Sequence, residues 1–379
     1  MIPERLLLGP GPSPVPARVL NAMSAPALSH LDPEMMAILD DIRARLTWTF
    51  GAADDALSLA VSGTGTSGME AAVANVTREG MRVVVVVNGY FGDRLAQMFQ
   101  RYGATVTRVD SEWGRACDPA AVERALSNAP DILALVHAET STGVLNPVSD
   151  IAPLAANAGV LTVVDAVTSL AGMPLKALEW GIDVCYSCTQ KGLGAPSGLA
   201  PITFSARARE RRASSRSFYL DLALLEDYWI RRKYHHTISA PLIYSLHEAL
   251  KVVAEESLEA RWSRHERNHL ALCAGLQALG LELLPPEGER LWTLNAVRVP
   301  AGVDETAVRR ALLEGFSIEI GAGLGPLAGR IWRVGLMGAG STINNVLLFI
   351  TALERVLRAH GRKGAPSGAA VAAAEAAAG

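Results

Sequence analysis

The sequence predicts an α/β protein with a mostly parallel central sheet in a large domain and a smaller α+β C-terminal domain. Three observations carry this prediction. Short β-branched and apolar runs at 57–61, 83–87, 105–109, 132–136, 161–164, 184–186 and 201–204 alternate with longer stretches of helical periodicity, the texture of strand–helix–strand units. Several of these runs are apolar on both faces, Val83 to Val87 most clearly, as strands covered on both sides of a parallel sheet are. After about Lys251 the texture changes to two long helical stretches, a strand at 293–299, a helix at 305–314, a strand at 330–335 and a last helix. In that helix Val346, Phe349, Ile350, Leu353 and Leu357 form one apolar stripe.

The elements divide the chain into an N-terminal arm over 1–16, a large domain over 17–256, a small domain over 257–360 and an Ala/Gly-rich tail over 361–379. The tail is expected to be frayed and outside the fold. At 379 residues the chain is long enough for two cores. With 35 Lys and Arg against 38 Asp and Glu the net charge is −3, and the run Arg207, Arg209, Arg211, Arg212 is short, so nucleic acid is not an expected partner. The first residues break on Gly and Pro too early for a signal peptide, and no run is long enough to span a membrane. Four cysteines, Cys117, Cys185, Cys188 and Cys273, have no scaffold density, and are expected to be reduced thiols of a cytoplasmic protein with no metal site.

Four pieces could carry chemistry. The first is Ser62-Gly63-Thr64-Gly65-Thr66-Ser67-Gly68 between a strand and a helix near Met69. Small residues let backbone N–H groups approach an anion, and a helix N-terminus adds partial positive charge. Phosphate suits such a turn, although it lacks the Gly-Lys-Ser/Thr ending of a nucleoside-triphosphate loop, and a glycine-rich turn alone is as often only a tight turn. The second piece is Asp165 at a strand end, followed by Thr189-Gln190-Lys191 after the next strand. Strand ends line the ligand crevice of an α/β sheet, so an acid and a lysine can meet one ligand there. Pyridoxal phosphate needs such a set: a lysine amine for its aldehyde, a carboxylate for its ring nitrogen and an anion cradle. Separately, Asp165 would read as a loop cap and Lys191 as a solvated charge.

The third piece is His137-Ala138-Glu139-Thr140-Ser141-Thr142-Gly143 after a buried-type strand. The Thr140 hydroxyl there can reach a cofactor ring or simply end the strand in a local turn. The fourth is Arg333 in Ile331-Trp332-Arg333-Val334-Gly335. An arginine on this strand is a candidate clamp for a substrate carboxylate, with an edge-strand charge as the alternative.

Taken together these pieces resemble the class V, fold-type I aminotransferases, specifically the alanine–glyoxylate and serine–pyruvate group. The likeness runs from Gly9-Pro10-Gly11-Pro12 through Asn88-Gly89-Tyr90-Phe91-Gly92, Glu139 to Gly143 and Gln190-Lys191 to Tyr234-His235-His236-Thr237 and Arg333-Val334-Gly335. It implies pyridoxal 5'-phosphate as cofactor, Lys191 as the Schiff-base lysine and proton shuttle, and Asp165 as partner of the ring nitrogen. It further implies cofactor contacts from Thr64, Gly65, Thr66, Phe91, Thr140, Val167 and Gln190, and substrate contacts from Arg333, Gly11, His30 and Thr140. Phe91 stands where relatives often have Trp. Tyr234 and Thr237 match the segment that reaches the cofactor phosphate of a neighbouring subunit, which implies a homodimer with active sites at the interface.

A closer likeness to the bacterial ureidoglycine–glyoxylate aminotransferases shows in Asp110 to Gly114, Leu225 to Trp229 and Gly325 to Gly329. Those enzymes carry Gln where this chain has His30, and Asn where it has Tyr234. The resemblance therefore favours transfer from alanine, or possible donors such as serine, to glyoxylate, with ureidoglycine as the alternative donor. A desulfurase or other lyase of the same fold, or a phosphate-ligand binding protein without catalysis, are the rival readings.

Overall fold

A computed structural model describes residues 2–362 and 366–379; Met1 of the expected arm and residues 363–365 of the expected tail lie outside the described residues. Seven strands form the main sheet: β1 (Leu57–Gly63), β2 (Arg82–Val87), β3 (Thr105–Asp110), β4 (Ile132–Val136), β5 (Leu161–Asp165), β6 (Val184–Tyr186) and β7 (Gly198–Phe204). Their order is β1-β7-β6-β5-β4-β2-β3. Only β7 runs against its neighbours, and the pairs among β3, β2, β4, β5 and β6 are parallel. Every residue of β4, β5 and β6 is buried, as both-face apolar runs require when helices cover each side. The edge strand β3 is exposed along most of its length and carries Arg108 in ion pairs with Asp93 and Asp110, charges that discourage pairing with another edge.

The register of the central strands positions the site. Val136 pairs with Asp165, and Asp165 with Tyr186, so three strand ends stand in one row. Helix α1 (Gly65–Val76) starts two residues after β1, earlier than the expected Met69, and packs on β1, β6 and β7. Helix α2 (Tyr90–Arg101) follows β2 after a short turn.

A second cluster of buried residues surrounds a three-stranded antiparallel sheet of β8 (Leu294–Arg298), β9 (Gly321–Ala322) and β10 (Ile331–Gly335), ordered β8-β10-β9. It includes Leu272 and Leu276 of α3 (Leu258–Ala278) and the Val346, Phe349, Ile350, Leu353 and Leu357 stripe of α4 (Ile343–Ala359). The N-terminal arm belongs partly to this cluster. Leu6–Leu7 pairs with Ile318–Glu319, and Leu8 is fully buried among its side chains.

The tail is the one segment whose expected state the structure corrects. Residues Ala369–Ala378 form a helix, α5, that packs on α3 and α4. Ala370 and Ala374, one turn apart, are buried in the second cluster. Alanine has the highest helix propensity, and its small side chain allows close approach to the backbone. Gly275 of α3 lies opposite, where an added Cβ would meet the Ala370 carbonyl oxygen at 3.2 Å. An Ala/Gly-rich composition was read as flexibility, whereas here it is the surface of a close helix crossing. Placing a carboxylate at buried Ala374 should therefore cost about 1–3 kcal/mol. Ala374→Asp is expected to lower the melting temperature by several degrees while the exposed Ala376→Asp leaves it unchanged. Equal melting temperatures for both variants and the parent would mean that the tail is detached in solution.

Candidate active site

The C-terminal ends of β4 and β5 open onto a cavity of about 260 Å³. Its walls come from separated parts of the chain: Gly11 and Pro12 of the arm, Thr64, Gly65 and Thr66 at the start of α1, Phe91 and Arg94 of α2, Thr140, and then Asp165, Val167, Gln190 and Lys191. The structure thus brings together ten of the residues singled out from the sequence. Arg333 is 7% exposed and lies just behind this wall, where one of its Nη atoms donates to the Thr140 carbonyl at 3.4 Å. His30, Tyr234 and Thr237 do not line the cavity of their own chain. His30 and Tyr234 instead touch each other in a tilted ring contact with centroids 5.0 Å apart, and Tyr234 is 61% exposed.

At one end the first turn of α1 has the features of an anion cradle. The N–H groups of Gly65, Thr66 and Ser67 have no intrahelical acceptor by helix geometry, and N-cap Thr64 leaves them uncapped by a side-chain bond. Gly65 is packed so closely that a Cβ there would meet the Val167 side chain at 2.9 Å. The Gln190 side-chain oxygen is buried without a partner. Arg94 adds a cation: it donates to the Thr66 hydroxyl at 3.1 Å and lies over the Phe91 ring at 5.3 Å. Orphan donors and a nearby guanidinium together fit a phosphate group, to which the Gln190 side chain would donate only through its NH2 and not through its oxygen.

At the other end Lys191 extends under the arm. Its ammonium group donates to the Pro10 carbonyl, and the Ser13 hydroxyl donates to the Lys191 carbonyl at 2.8 Å. Gly11 has φ +111°, which favours glycine, and a Cβ there would meet Lys191 Cε at 2.6 Å and push the lysine side chain aside. Burial lowers the Lys191 pKa, and the Arg333 charge adds to this, while Cys188 and Asp165 oppose it. The effect favours the neutral amine that a nucleophile and proton carrier needs.

Asp165, 3% exposed, faces the cavity between the two ends. Its Oδ1 accepts from the Val167 N–H at 2.8 Å and its Oδ2 from the Tyr186 hydroxyl at 2.9 Å. A second buried carboxylate, Glu139, accepts from the Phe91 and Gly92 N–H groups at 3.4 and 3.1 Å, and from the Ser141 hydroxyl at 2.5 Å. Glu139 thereby fixes the turn from which the Phe91 ring projects. The Thr140 hydroxyl bonds to that of Thr168 at 2.5 Å. The lysine, the carboxylate and the cradle together fit pyridoxal phosphate: Lys191 for the aldehyde carbon, Asp165 for the ring nitrogen, α1 and Gln190 for the phosphate, and Phe91 for a ring face. The buried Cys188 thiol beside the site is held protonated, since burial raises it to about 12, contrary to what a nucleophilic cysteine requires.

Sequence reasoning passed over Tyr186, Arg94 and the capping role of Glu139. Tyr186 looked like one more apolar-strand residue. Arg94 has a sequence signal, since it lies one turn after Tyr90 and Phe91 on the same helix face, but only the fold brings that face to Thr66.

The electrostatics make a prediction about the cofactor-free chain. Burial, with a contribution from Glu139, raises the Asp165 pKa from 3.8 to about 7, against the Val167 and Tyr186 hydrogen bonds and Lys191. An acid whose folded-state pKa lies above its unfolded value loses stability as pH rises from the lower to the higher value, and the loss is complete above the higher one. Asp165→Asn cannot ionise, so it is expected to be more stable than the parent at about pH 8, by up to about 4 kcal/mol, with the difference gone near about pH 4. Thermal melts of both cofactor-free proteins across that range check this; a parent as stable as the variant at high pH would contradict it.

Known proteins agree with the geometry. The family described as Aminotransferase class-V matches residues 5–330. An alanine–glyoxylate aminotransferase of Drosophila melanogaster is 37% identical, with 94% of this chain and 93% of the relative covered. Among solved structures, alanine–glyoxylate aminotransferase from Nostoc sp. is 46% identical with a TM-score of 0.92, covering 94% of this chain and 96% of that one. Ureidoglycine–glyoxylate aminotransferase from Bacillus subtilis is 38% identical with a TM-score of 0.96, covering 100% and 98%. The chain therefore belongs to the class-V aminotransferases, and it is a pyridoxal-phosphate-dependent aminotransferase of fold type I.

Proposed function

We propose that this aminotransferase moves an amino group from a small amino acid, alanine in the first place, to glyoxylate, giving a 2-oxo acid and glycine. The observation that carries this reading is the buried Arg333 guanidinium. Among the described residues it has no ion-pair partner, and its Nε donates to the Ala322 carbonyl at 2.6 Å. A buried charge of this kind calls for an anion, and a single fork suits the single carboxylate of alanine or glyoxylate. The cavity is also near the lower limit of about 300 Å³ for ligand sites, and it has to hold cofactor and substrate together, which favours short side chains. Glyoxylate is the acceptor common to the names of the relatives described above.

When bound, pyridoxal phosphate supplies an aldehyde that takes up the amino group and a ring that accepts electron density from Cα. The protein's own residues do the rest. Arg333 holds the carboxylate of donor and acceptor in turn. Lys191 Nζ removes the Cα proton and returns it one position along, a task for which its lowered pKa suits it. Asp165 would hold the ring nitrogen, Phe91 would cover one ring face, and Thr140 would reach the ring oxygen. Exposed Tyr234 and Thr237 lie outside the cavity of their own chain, an arrangement that suits contacts with a neighbouring subunit's cofactor phosphate in a homodimer. The division between large and small domains is taken at Ser257, which has φ +68° between two helices.

Ureidoglycine is the second reading for the donor, favoured by full-length similarity to the Bacillus subtilis enzyme. His30 and Tyr234 argue the other way, because they replace the two amides of that group, and their ring contact places both at one spot.

Purified holoenzyme is expected to show an absorption band near ~400 nm that borohydride abolishes. Arg333→Lys keeps the charge and loses the fork, so it is expected to raise KM for amino acid and oxo acid together, roughly ten- to hundred-fold. A screen of alanine, serine and ureidoglycine against glyoxylate decides the donor. Preference of the unaltered protein for ureidoglycine would overturn the alanine reading, and His30→Gln with Tyr234→Asn is expected to move preference in that direction.

A further inference from the structure

Tyr186 ends β6 and pairs in register with Asp165 at the end of β5. Its side chain is 0% exposed, so its hydroxyl hydrogen has the Asp165 carboxylate, at 2.9 Å, as acceptor in place of water. Tyr186 does not line the cavity, whereas Asp165 does. Any effect of this hydroxyl on the reaction must therefore pass through the carboxylate. A buried tyrosine that merely satisfies its own hydroxyl is the simpler account, and the two accounts differ in what happens to the Asp165 proton.

A carboxylate opposite a ring nitrogen shares one proton with it, and the proton rests on the more basic partner. Each hydrogen bond donated to the carboxylate lowers its basicity. Around Asp165 the balance is close. Burial and the Glu139 carboxylate favour a proton on Asp165, while the Val167 N–H, the Tyr186 hydroxyl and the Lys191 ammonium oppose it. Cys185 on β6 and Cys188 beyond it face the same region, and burial keeps both thiols neutral. Of the two hydrogen bonds to Asp165, the Val167 one comes from backbone, which leaves Tyr186 as the side chain that acts on that balance through a hydrogen bond.

We propose that Tyr186 is a positioning residue for transamination: its hydroxyl orients the Asp165 carboxylate and keeps it anionic, so that the shared proton stays on the cofactor's ring nitrogen. The inference rests on the reading above that Asp165 faces that nitrogen. Tyr186→Phe deletes the hydroxyl and keeps the ring packing. The rate of the alanine half-reaction, followed in single turnover so that slow variants stay measurable, is expected to fall roughly ten- to hundred-fold, the equivalent of one hydrogen bond to a charged group. The substrate concentration giving half-maximal rate should stay within about two-fold, because Arg333 is untouched. In an Asp165→Asn background the same substitution should change the rate by less than about two-fold, since the carboxylate it acts on is gone. In the cofactor-free protein, Tyr186→Phe should steepen the loss of thermal stability between about pH 5 and about pH 8, because the Asp165 pKa moves further above its unfolded value.

Near-normal turnover in Asp165→Asn would overturn the placement of Asp165 on which the inference depends. An inactive Asp165→Asn with a fully active Tyr186→Phe would overturn the role of Tyr186 alone. Equal losses from Tyr186→Phe in both backgrounds would do the same, since a purely structural defect adds independently of Asp165.

Discussion

The parallel register of β4, β5 and β6 is the constraint on which the site depends. It sets Val136, Asp165 and Tyr186 in one row at the carboxyl ends of three buried strands. Side chains alternate along a strand, so a slip of one residue would turn Asp165 away from the cavity and into the helix layer behind it. That register is strongly specified because all of β4, β5 and β6 is buried and each strand must match apolar neighbours on both faces. The turns that follow these strands inherit their positions from it. Lys191 leaves the turn after β6, Thr140 the turn after β4, and the start of α1 packs against β6 from the next layer.

The site gathers four ionisable groups, Asp165, Glu139, Lys191 and Arg333, into a space where water cannot solvate them fully. Each shows the shift that burial dictates: the carboxyls upward, the lysine and the arginine downward, with Arg333 near about 10. Isolated, such charges would destabilise the fold by several kcal/mol each. Here the mutual Coulomb terms and directed hydrogen bonds offset part of that cost, most fully at Glu139, which accepts from two amides at the head of α2 and from Ser141. What is left uncompensated is concentrated at Lys191, Arg333 and Asp165, the three groups that a cofactor and a substrate can satisfy. Stability that these groups do not gain from one another is thus available as binding energy when cofactor and substrate bind.

Much of this was legible in the sequence because the decisive residues lie at the edges of strong local signals. Asp165 and Lys191 each follow a run that can only be a buried strand, and the Thr64 to Gly68 segment sits between a strand and a helix. The family likeness supplied what local pattern could not, above all Phe91 and Val167. Tyr186 stayed hidden for a physical reason. A strand buried on both faces has no alternation to say which face a residue takes, so its hydroxyl could not be aimed at Asp165. The tilted ring contact of His30 with Tyr234 is equally invisible, since it joins two loops far apart in the chain. In the tail, composition suggested disorder, while the buried pair Ala370 and Ala374 one turn apart was the overlooked signal of a packed helix.

The N-terminal arm ties these observations into one assembly. Leu6 and Leu7 pair with Ile318 and Glu319, and the Leu8 carbonyl accepts from the Gly335 N–H at 2.8 Å, beside the strand that carries Arg333. Five residues later the Ser13 N–H donates to the Gln190 carbonyl at 2.8 Å. Between these anchors the chain passes over Lys191 at Gly11, where a side chain would displace the lysine. The arm therefore holds the lysine turn of the large sheet and the arginine strand of the small sheet at a fixed separation. In the proposed reaction Lys191 and Arg333 act on the same small substrate, so their spacing would matter to within a fraction of an ångström. Neither core sets that spacing by itself, and the short extended segment from Leu6 to Ser13 is anchored to both.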